Sequence, residues 1–235
     1  MGRERRVVAV FDLDGTITRR DTLFPYVVAR LAERPWRLAK LLLVLPALCV
    51  YALAGRDRGR LKAKLIGATL GGETRADIAA WNDRYLPRLI ARDLLRDAVA
   101  AIARHRLRGD TLVLMSASVD LYVPALGKRL GFQRTICTEV AWRDERLTGA
   151  LTTPNRRGEE KSRCLAALRA EFGDAEFTAY GNSASDLPHL RLADHGVLVN
   201  ASRAAFVQAR HAGIECVQWR GTWHPDDSSN IDPPG

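Results

Sequence analysis

Residues 7–16 read VVAVFDLDGT. The first five are apolar and mostly β-branched, which is typical of a strand buried on both faces. The run ends at Asp12 and Asp14, and residues two apart on an extended chain point to the same side. Gly15 then interrupts the strand. The stretch predicts a buried strand that delivers two carboxylates to its carboxyl end, where open α/β sheets bind ligands.

Two carboxylates this close repel each other, so they require a cation, a shared proton or both. An isolated Asp-x-Asp is more often a solvated turn or a cap, and the case for a site depends on the rest of the chain. FDLDGT after an apolar strand resembles the first motif of the haloacid dehalogenase superfamily of phosphohydrolases. The resemblance implies that Asp12 attacks phosphorus and that Asp14 is the general acid and base.

Three later stretches resemble the other motifs of that superfamily. LMSAS places Ser116 and Ala117 where the second motif binds the transferring phosphoryl group, and GEEKS places Lys161 where a lysine pairs with the nucleophile and the phosphate. GNSASDLP resembles the metal-binding loop, with Asn182 and Asp186 at its two polar positions. Alone, such a serine is as often a helix cap and such a lysine is usually solvated. Four motifs in the expected order indicate the superfamily.

The resemblance also implies Mg²⁺, held by Asp12, the backbone carbonyl of Asp14 and the loop that carries Asn182 and Asp186. The family usually has Asp at the position of Asn182, and an amide offers an oxygen without charge. The presence of Asn instead of Asp at position 182 has three alternative consequences. Mg²⁺ binds less tightly than in relatives, Asp186 moves inward to compensate, or this protein is catalytically attenuated.

Strand and helix signals alternate over residues 111–219, which predicts a Rossmann-like, doubly wound parallel sheet of the α/β class. Residues 24–100 show helical patterns and no strand-like alternation, so we predict an all-helical cap inserted after the first strand. Residues 135–142 and 147–152 predict a small hairpin. The predicted limits are 1–18 and 106–220 for the core, 19–105 for the cap and 221–235 for a disordered tail.

Length and composition fit a folded protein. The chain has 235 residues, of which 47% are hydrophobic, enough for a sizeable core. Residues 1–6 are polar and basic but precede a strand, so we predict no secretion signal. The cysteines are widely spaced without a C-x-x-C pair, which indicates reduced thiols in the cytosol and argues against zinc. They are Cys49, Cys137, Cys164 and Cys216.

The net charge of +9 is concentrated in one segment. Residues 19–100 hold 16 basic and 8 acidic side chains, whereas the remainder holds 20 and 19. Such a field attracts phosphates on a small substrate, a lipid surface or a nucleic acid. Because the basic segment has no interleaved aromatic platform and no known reader motif, we expect no nucleic-acid partner.

The cap determines the expected substrate. A helical insert directly after the first motif resembles the phosphoserine-phosphatase-like branch. Asp21 lies nine residues after Asp12, where phosphoserine phosphatase carries a Glu that holds the substrate amine, and Asp is shorter. The stretch from Pro35 through a Leu-rich run resembles bacterial phosphatidylglycerophosphatases of type C. These resemblances imply a phosphorylated small molecule or a lipid headgroup as the substrate.

The apolar run over residues 41–54 is shorter than the roughly 20 residues that span a membrane. It is a buried cap helix, a homodimer interface or a patch that rests on anionic lipid. Between Arg30 and Lys64 there are nine basic and two acidic residues. An apolar patch with a basic cluster predicts a cytoplasmic protein that binds the inner membrane face reversibly. The alternative, from another class, is a catalytically weak, phosphate-binding protein at the membrane surface.

Overall fold

The computed structural model describes residues 6–34, 36, 46 and 58–223. The main sheet contains β1 (Val7–Phe11), β2 (Thr111–Val119), β3 (Arg134–Thr138), β6 (Glu176–Gly181), β7 (His195–Val199) and β8 (Glu215–Val217). A separate hairpin contains β4 (Val140–Arg143) and β5 (Arg146–Leu151). The described helices are α1 (Leu23–Ala32), α2 (Arg58–Leu70), α3 (Arg75–Asp93), α4 (Arg96–Leu107), α5 (Val123–Arg129), α6 (Glu159–Phe172), α7 (Leu187–Leu192) and α8 (Arg203–His211).

The six strands of the main sheet are parallel and lie in the order β3-β2-β1-β6-β7-β8. The chain first adds strands on one side of β1 and later on the other. This confirms the predicted doubly wound α/β fold. The order of addition reverses at β1, and the carboxyl ends of β1, β2 and β6 are therefore neighbours at the edge where such sheets bind ligands.

Both faces of the sheet are covered, which explains the continuous apolar runs of its strands. Ala9 and Phe11 of β1 belong to one buried cluster, and Val8 and Val10 belong to the cluster on the opposite face. All four side chains are at most 1% exposed. The first strand is therefore fixed from both sides, and the carboxylates that follow it start from a rigid position.

The described part of residues 19–105 is helical, as predicted. A reciprocal capping box between Thr74 and Asp77 begins α3. Pro87 lies inside this helix. The last helix of the segment, α4, packs against the sheet. The ring of His105 on this helix meets the ring of Phe11 on β1 edge to face, with 5.6 Å between the ring centres. The domain limits themselves stay predictions.

Two sequence predictions need correction. Residues 135–138, predicted as part of the hairpin, belong instead to edge strand β3, which pairs in parallel with β2. Residues 221–223 are ordered, since Arg96 N–H donates to the carbonyl of Gly221 and Trp223 N–H to that of Leu94, at 3.1 and 3.0 Å. The apolar run 41–54 and the rest of the tail lie outside the described residues. Within the described ranges, no helix is long and apolar enough to cross a membrane.

Candidate active site

A pocket of about 170 Å³ lies at the carboxyl edge of the sheet. The sheet places Asp12 there, because its N–H donates to the carbonyl of Tyr180 on the neighbouring strand β6 at 3.0 Å. The wall contains seven of the eight residues that the sequence predicted as site residues. They are Asp12, Asp14, Asp21, Ala117, Lys161, Asn182 and Asp186.

Lys161, in the first turn of α6, joins two carboxylates. Its Nζ lies 2.6 Å from Oδ1 of Asp12 and 2.7 Å from Oδ1 of Asp186. The three residues are only 2%, 6% and 3% exposed, respectively. Burying one ammonium between two carboxylates is tolerable only because each charge is paired and hydrogen-bonded. The group still carries one net negative charge, which favours a further cation or proton.

The two carboxylates differ in proton affinity. Burial raises the pKa of Asp12 to about 7, Lys161 opposes this shift, and the charge of Asp186 adds to it. Burial also acts on Asp186, but Lys161 and further donors hold its pKa below the ordinary value. Oδ2 of Asp186 accepts from Ser183 Oγ at 2.7 Å and from the N–H groups of Ser183 and Asn182 at 3.0 and 3.2 Å. Asp186 is therefore the fixed anion, and Asp12 is the carboxylate that more readily takes up a proton.

Asp14 is held by groups that the sequence reasoning missed. Its Oδ1 accepts from the N–H and Oγ1 of Thr22 at 2.8 and 2.6 Å, and its Oδ2 accepts from Ser118 Oγ at 2.6 Å. Burial raises the pKa of Asp14, and the charge of Asp21 adds to this, whereas the Ser118 and Thr22 bonds oppose it. Both carboxylate oxygens thus accept hydrogen bonds, and binding of a cation by the backbone carbonyl of Asp14 stays a prediction.

The serine of the second predicted motif does not line the pocket, whereas the two residues that follow it do. Ser116 is fully buried, and its Oγ accepts from Ser118 N–H at 3.0 Å. Ala117 and Ser118 line the pocket instead. The carbonyl of Ala117 accepts from Thr138 Oγ1 at 2.8 Å and from Lys62 Nζ. A contact between Ser116 and a phosphoryl group stays a prediction.

Gly15 allows the loop after β6 to approach the first motif. Gly15 has φ +80°, and a Cβ on it would lie 2.0 Å from Nδ2 of Asn182. Any other residue would displace that amide. The missing side chain thus sets the distance between the two predicted halves of the metal site.

The donors near Asn182 fit Mg²⁺ by type. The Asp12 carboxylate, the Asp14 carbonyl and the Asn182 amide are hard oxygen donors around an excess negative charge. Asp186 fits less well, because both its oxygens already accept from Lys161 or the loop. Among the described residues, no three His, Cys, Asp or Glu side chains are grouped to hold a metal. We therefore expect the first three residues to hold the ion.

Several pocket residues were not predicted, because they come from distant parts of the chain. Lys62 of α2 donates to the carbonyl of Ala117 and, at 2.7 Å, to Oδ1 of Asn155. Arg58 and Arg157 also line the pocket. In the sequence Arg58 and Lys62 were only part of a basic cluster, and no local pattern marks Asn155 or Arg157. Thr22 and Ser118 had a weak signal, since both lie within a residue or two of predicted positions.

Asp21 lies in the pocket, as predicted, but its contacts do not test its predicted role in substrate binding. It lines the pocket, and its Oδ1 accepts from Phe24 N–H at 3.2 Å at the start of α1. A substrate amine at Asp21 stays a prediction.

The sequence is similar to those of known proteins over most of its length. The profile of the haloacid dehalogenase-like hydrolases matches residues 9–191. Protein CicA of Caulobacter vibrioides is 38% identical over 199 residues, covering 83% of this chain and 86% of CicA. A probable phosphatase of Mycobacterium tuberculosis is 26% identical over 213 residues, covering 88% of this chain and 74% of that protein.

Solved structures show the same fold. A Bordetella pertussis protein of unknown function superposes with a TM-score of 0.77 and 25% identity, covering 91% of this chain and 98% of that one. A phospho-aspartyl intermediate analogue of phosphoserine phosphatase superposes with a TM-score of 0.61 and 15% identity, covering 92% and 94%. The chain belongs to the haloacid dehalogenase-like hydrolases, and its fold is that of the phosphoserine-phosphatase-like branch.

Proposed function

We propose that this protein is a Mg²⁺-dependent phosphomonoester hydrolase that acts through an aspartyl-phosphate on Asp12. The observation that carries the proposal is the buried Lys161 bridge, 2.6 Å from Asp12 and 2.7 Å from Asp186, in the wall of a pocket that Asp14 also lines. The family match and the similarity to a probable phosphatase support it.

In the proposed reaction an oxygen of Asp12 forms a bond to phosphorus while the bond from phosphorus to the leaving alcohol breaks. Asp14 gives its proton to that alcohol, and it then accepts a proton from the water that hydrolyses the aspartyl-phosphate. The raised pKa of Asp14 favours the protonated form that the first step needs. Lys161 partly neutralises Asp12, which lowers its repulsion of the phosphate dianion. Bound Mg²⁺ would supply further positive charge against the phosphate oxygens.

The proposed substrate is a small phosphorylated metabolite or a lipid phosphate such as phosphatidylglycerophosphate. Arg58, Lys62, Arg157 and Lys161 all line one pocket, and this supports an anionic substrate. The basic excess of residues 19–100 supports a cytoplasmic protein that also contacts the inner membrane face.

One observation favours a second function, a catalytically attenuated phosphate-binding protein at the membrane surface. Asn182 contributes no charge at the predicted metal site, and the described part of the chain has no cluster of three acidic or other ligating side chains. Weaker Mg²⁺ binding would leave phosphate binding largely intact and reduce turnover.

The test is hydrolysis of p-nitrophenyl phosphate with and without Mg²⁺. We expect Asp12→Asn to lower turnover by about a thousandfold or more, because an amide cannot replace the nucleophile. Asp174→Asn makes the same chemical change at an exposed position and serves as the control. Rapid quench with labelled substrate should leave phosphate on Asp12 in the wild type. Near-normal turnover of Asp12→Asn would contradict the covalent mechanism, and phosphate binding without turnover would favour the second function.

A further inference from the structure

Two arginines of the pocket have no role in the reaction proposed above. Arg58 is the first residue of α2, and Arg157 lies in the segment before α6. Both side chains line the pocket. In the described part of the chain, neither guanidinium has a hydrogen bond or ion pair with another residue.

The other two cations of the pocket are already engaged. Lys161 is bound by Asp12 and Asp186. Lys62 is half-buried and donates to the backbone carbonyl of Ala117 and to the side chain of Asn155. Within the described pocket lining, the two arginines are therefore the charged donors that remain available to a ligand.

Arg58 and Arg157 also lie close enough to repel each other. Burial lowers the pKa of Arg157, and the charge of Arg58 lowers it further, whereas the charges of Asp186 and Asp12 raise it. An arginine presents several N–H donors in a planar fork that suits carboxylate and phosphate oxygens. An anion between the two side chains would remove the repulsion and satisfy both forks.

We propose, on the basis of the proposed function, that Arg58 and Arg157 bind a second anionic group of the substrate. The substrate is then a phosphomonoester that also carries a carboxylate, a second phosphate or a phosphodiester. The reacting phosphoryl group belongs at the Asp12–Lys161 pair, whereas the arginines come from α2 and from the segment before α6. The two arginines thus let the cap and the core bind the same substrate molecule.

This chemistry has a soluble and a lipid source, and matched substrates separate them. The soluble pair is 2-phosphoglycolate, which carries a carboxylate, and 2-hydroxyethyl phosphate, which has a neutral tail. The lipid pair is dihexanoyl phosphatidylglycerophosphate, which carries a phosphodiester, and dihexanoyl phosphatidic acid, which lacks it. For each pair we define the preference ratio as kcat/KM with the second anionic group divided by kcat/KM without it.

The experiment measures these ratios for the full-length wild type, Arg58→Gln and Arg157→Gln with Mg²⁺ present. We expect a wild-type ratio above ten in at least one pair, and a fall of about tenfold or more in that ratio for either variant, since hydrogen bonds to charged groups contribute this much. Arg157→Lys should recover only part of the ratio, because Lys keeps the charge and loses the fork. Arg129→Gln, which removes a charge from a surface ion pair with Asp83, should leave the ratio unchanged.

Several outcomes would overturn the inference. A wild-type ratio near one in both pairs excludes a second anionic group. Equal losses of kcat/KM on both members of a pair assign the arginines to the transferring phosphoryl group. If the wild type hydrolyses neither these substrates nor p-nitrophenyl phosphate, the proposed function fails, and calorimetric binding of the soluble pair to Asp12→Asn decides the inference alone. Tighter binding of 2-phosphoglycolate that Arg157→Gln abolishes would then support it, and equal affinities would refute it.

Discussion

Gly15 and Asn182 illustrate how a single missing Cβ fixes the geometry of the pocket. Gly15 has φ +80°, in the left-handed region that glycine adopts easily, and Asn182 fills the space where its side chain would be. Gly72 has nearly the same φ, +81°, but a Cβ there would meet no atom within 4 Å. A comparison of substitutions at these two positions therefore separates the effect of backbone strain from the effect of the contact with Asn182.

We expect Gly15→Ala to cost slightly more stability than Gly72→Ala, by about 1 kcal/mol or less, because the two variants carry similar backbone strain and the end of the Asn182 side chain can turn away from the added Cβ. Urea unfolding of both variants measures the difference. Gly15→Ala should also lower p-nitrophenyl phosphate turnover, whereas Gly72→Ala should not. Equal stabilities with full activity in both variants would show that the Asn182 contact is unimportant.

Asn182 also leads to a prediction about Mg²⁺. Asn182→Asp adds a negative charge at the predicted metal site, and part of its attraction to the ion should survive desolvation and repulsion from Asp12. We expect Mg²⁺ affinity to rise about tenfold, equivalent to about 1.4 kcal/mol. Calorimetric titration with Mg²⁺ and the Mg²⁺ dependence of turnover both measure this.

Asn155→Asp is the matched control for that experiment, because it adds the same charge in the same pocket beside Lys62. It should change Mg²⁺ affinity much less. An unchanged affinity in Asn182→Asp, or an equal rise in both variants, would mean that Asn182 does not hold the metal.

Among the secondary structure elements, the packing of α2 on β5 positions the wall of the pocket. A Cβ on Gly149 of β5 would lie 2.2 Å from Cα of Gly67 in α2. Two glycines thus let the helix backbone and the strand backbone approach closely. Lys62 lies more than one helical turn before Gly67 on α2. Its Nζ donates to the carbonyl of Ala117 and to the side chain of Asn155. The hairpin therefore sets where α2 places its basic residues.

Gly149→Ala should push α2 away from β5. We expect a loss of about 1–3 kcal/mol beyond that of Gly109→Ala, whose φ of +75° is similar but whose Cβ would meet nothing within 4 Å. Thermal unfolding should show a midpoint lower by several degrees relative to this control. KM should rise as well, since Lys62 moves with α2. Indistinguishable midpoints would mean that the helix and the hairpin adjust without cost.

For the whole molecule, the distribution of charge determines the expected partners. Residues 19–100 carry nearly all of the net charge of +9. In the described part of this segment, Arg30 and Arg34 both pair with the buried carboxylate of Glu73, at 3.0 and 3.3 Å. The exposed basic side chains that remain would attract an anionic surface.

We predict reversible binding to vesicles that contain anionic lipid and weaker binding at high salt, because surface charges are screened within about 8 Å at physiological ionic strength. Sedimentation with neutral and anionic vesicles at 50 and 500 mM salt, on the order of a threefold change in screening length, measures this. Equal binding to both vesicle types, or none to either, would contradict the prediction and favour a soluble substrate.

The sequence predicted the sheet and the reacting centre because their signals are local. A buried parallel strand needs a continuous apolar run, and the polar residues that follow it must lie at the edge of the sheet, so Asp12 and Asp14 were found from their spacing. Asn182 was found from the resemblance of its loop to the metal-binding motif of the superfamily. Lys161 needed the order of the motifs as well. The limits of β3 and the hairpin were wrong, because a β-rich segment does not reveal which strand it will pair with.

Only the tertiary structure decided which groups surround that centre. Thr22 and Ser118 bind Asp14 across 8 and 104 residues, and Lys62 reaches Asn155 across 93. Contacts of this kind produce no periodicity or motif in the sequence, because neither side chain is distinctive before folding brings the two together. The sequence by itself thus determined the fold class and the residues at the ends of the strands. Packing of α2 and the segment before α6 over the sheet decided which cations remain for the substrate, because charge pairing depends on distances of a few ångströms.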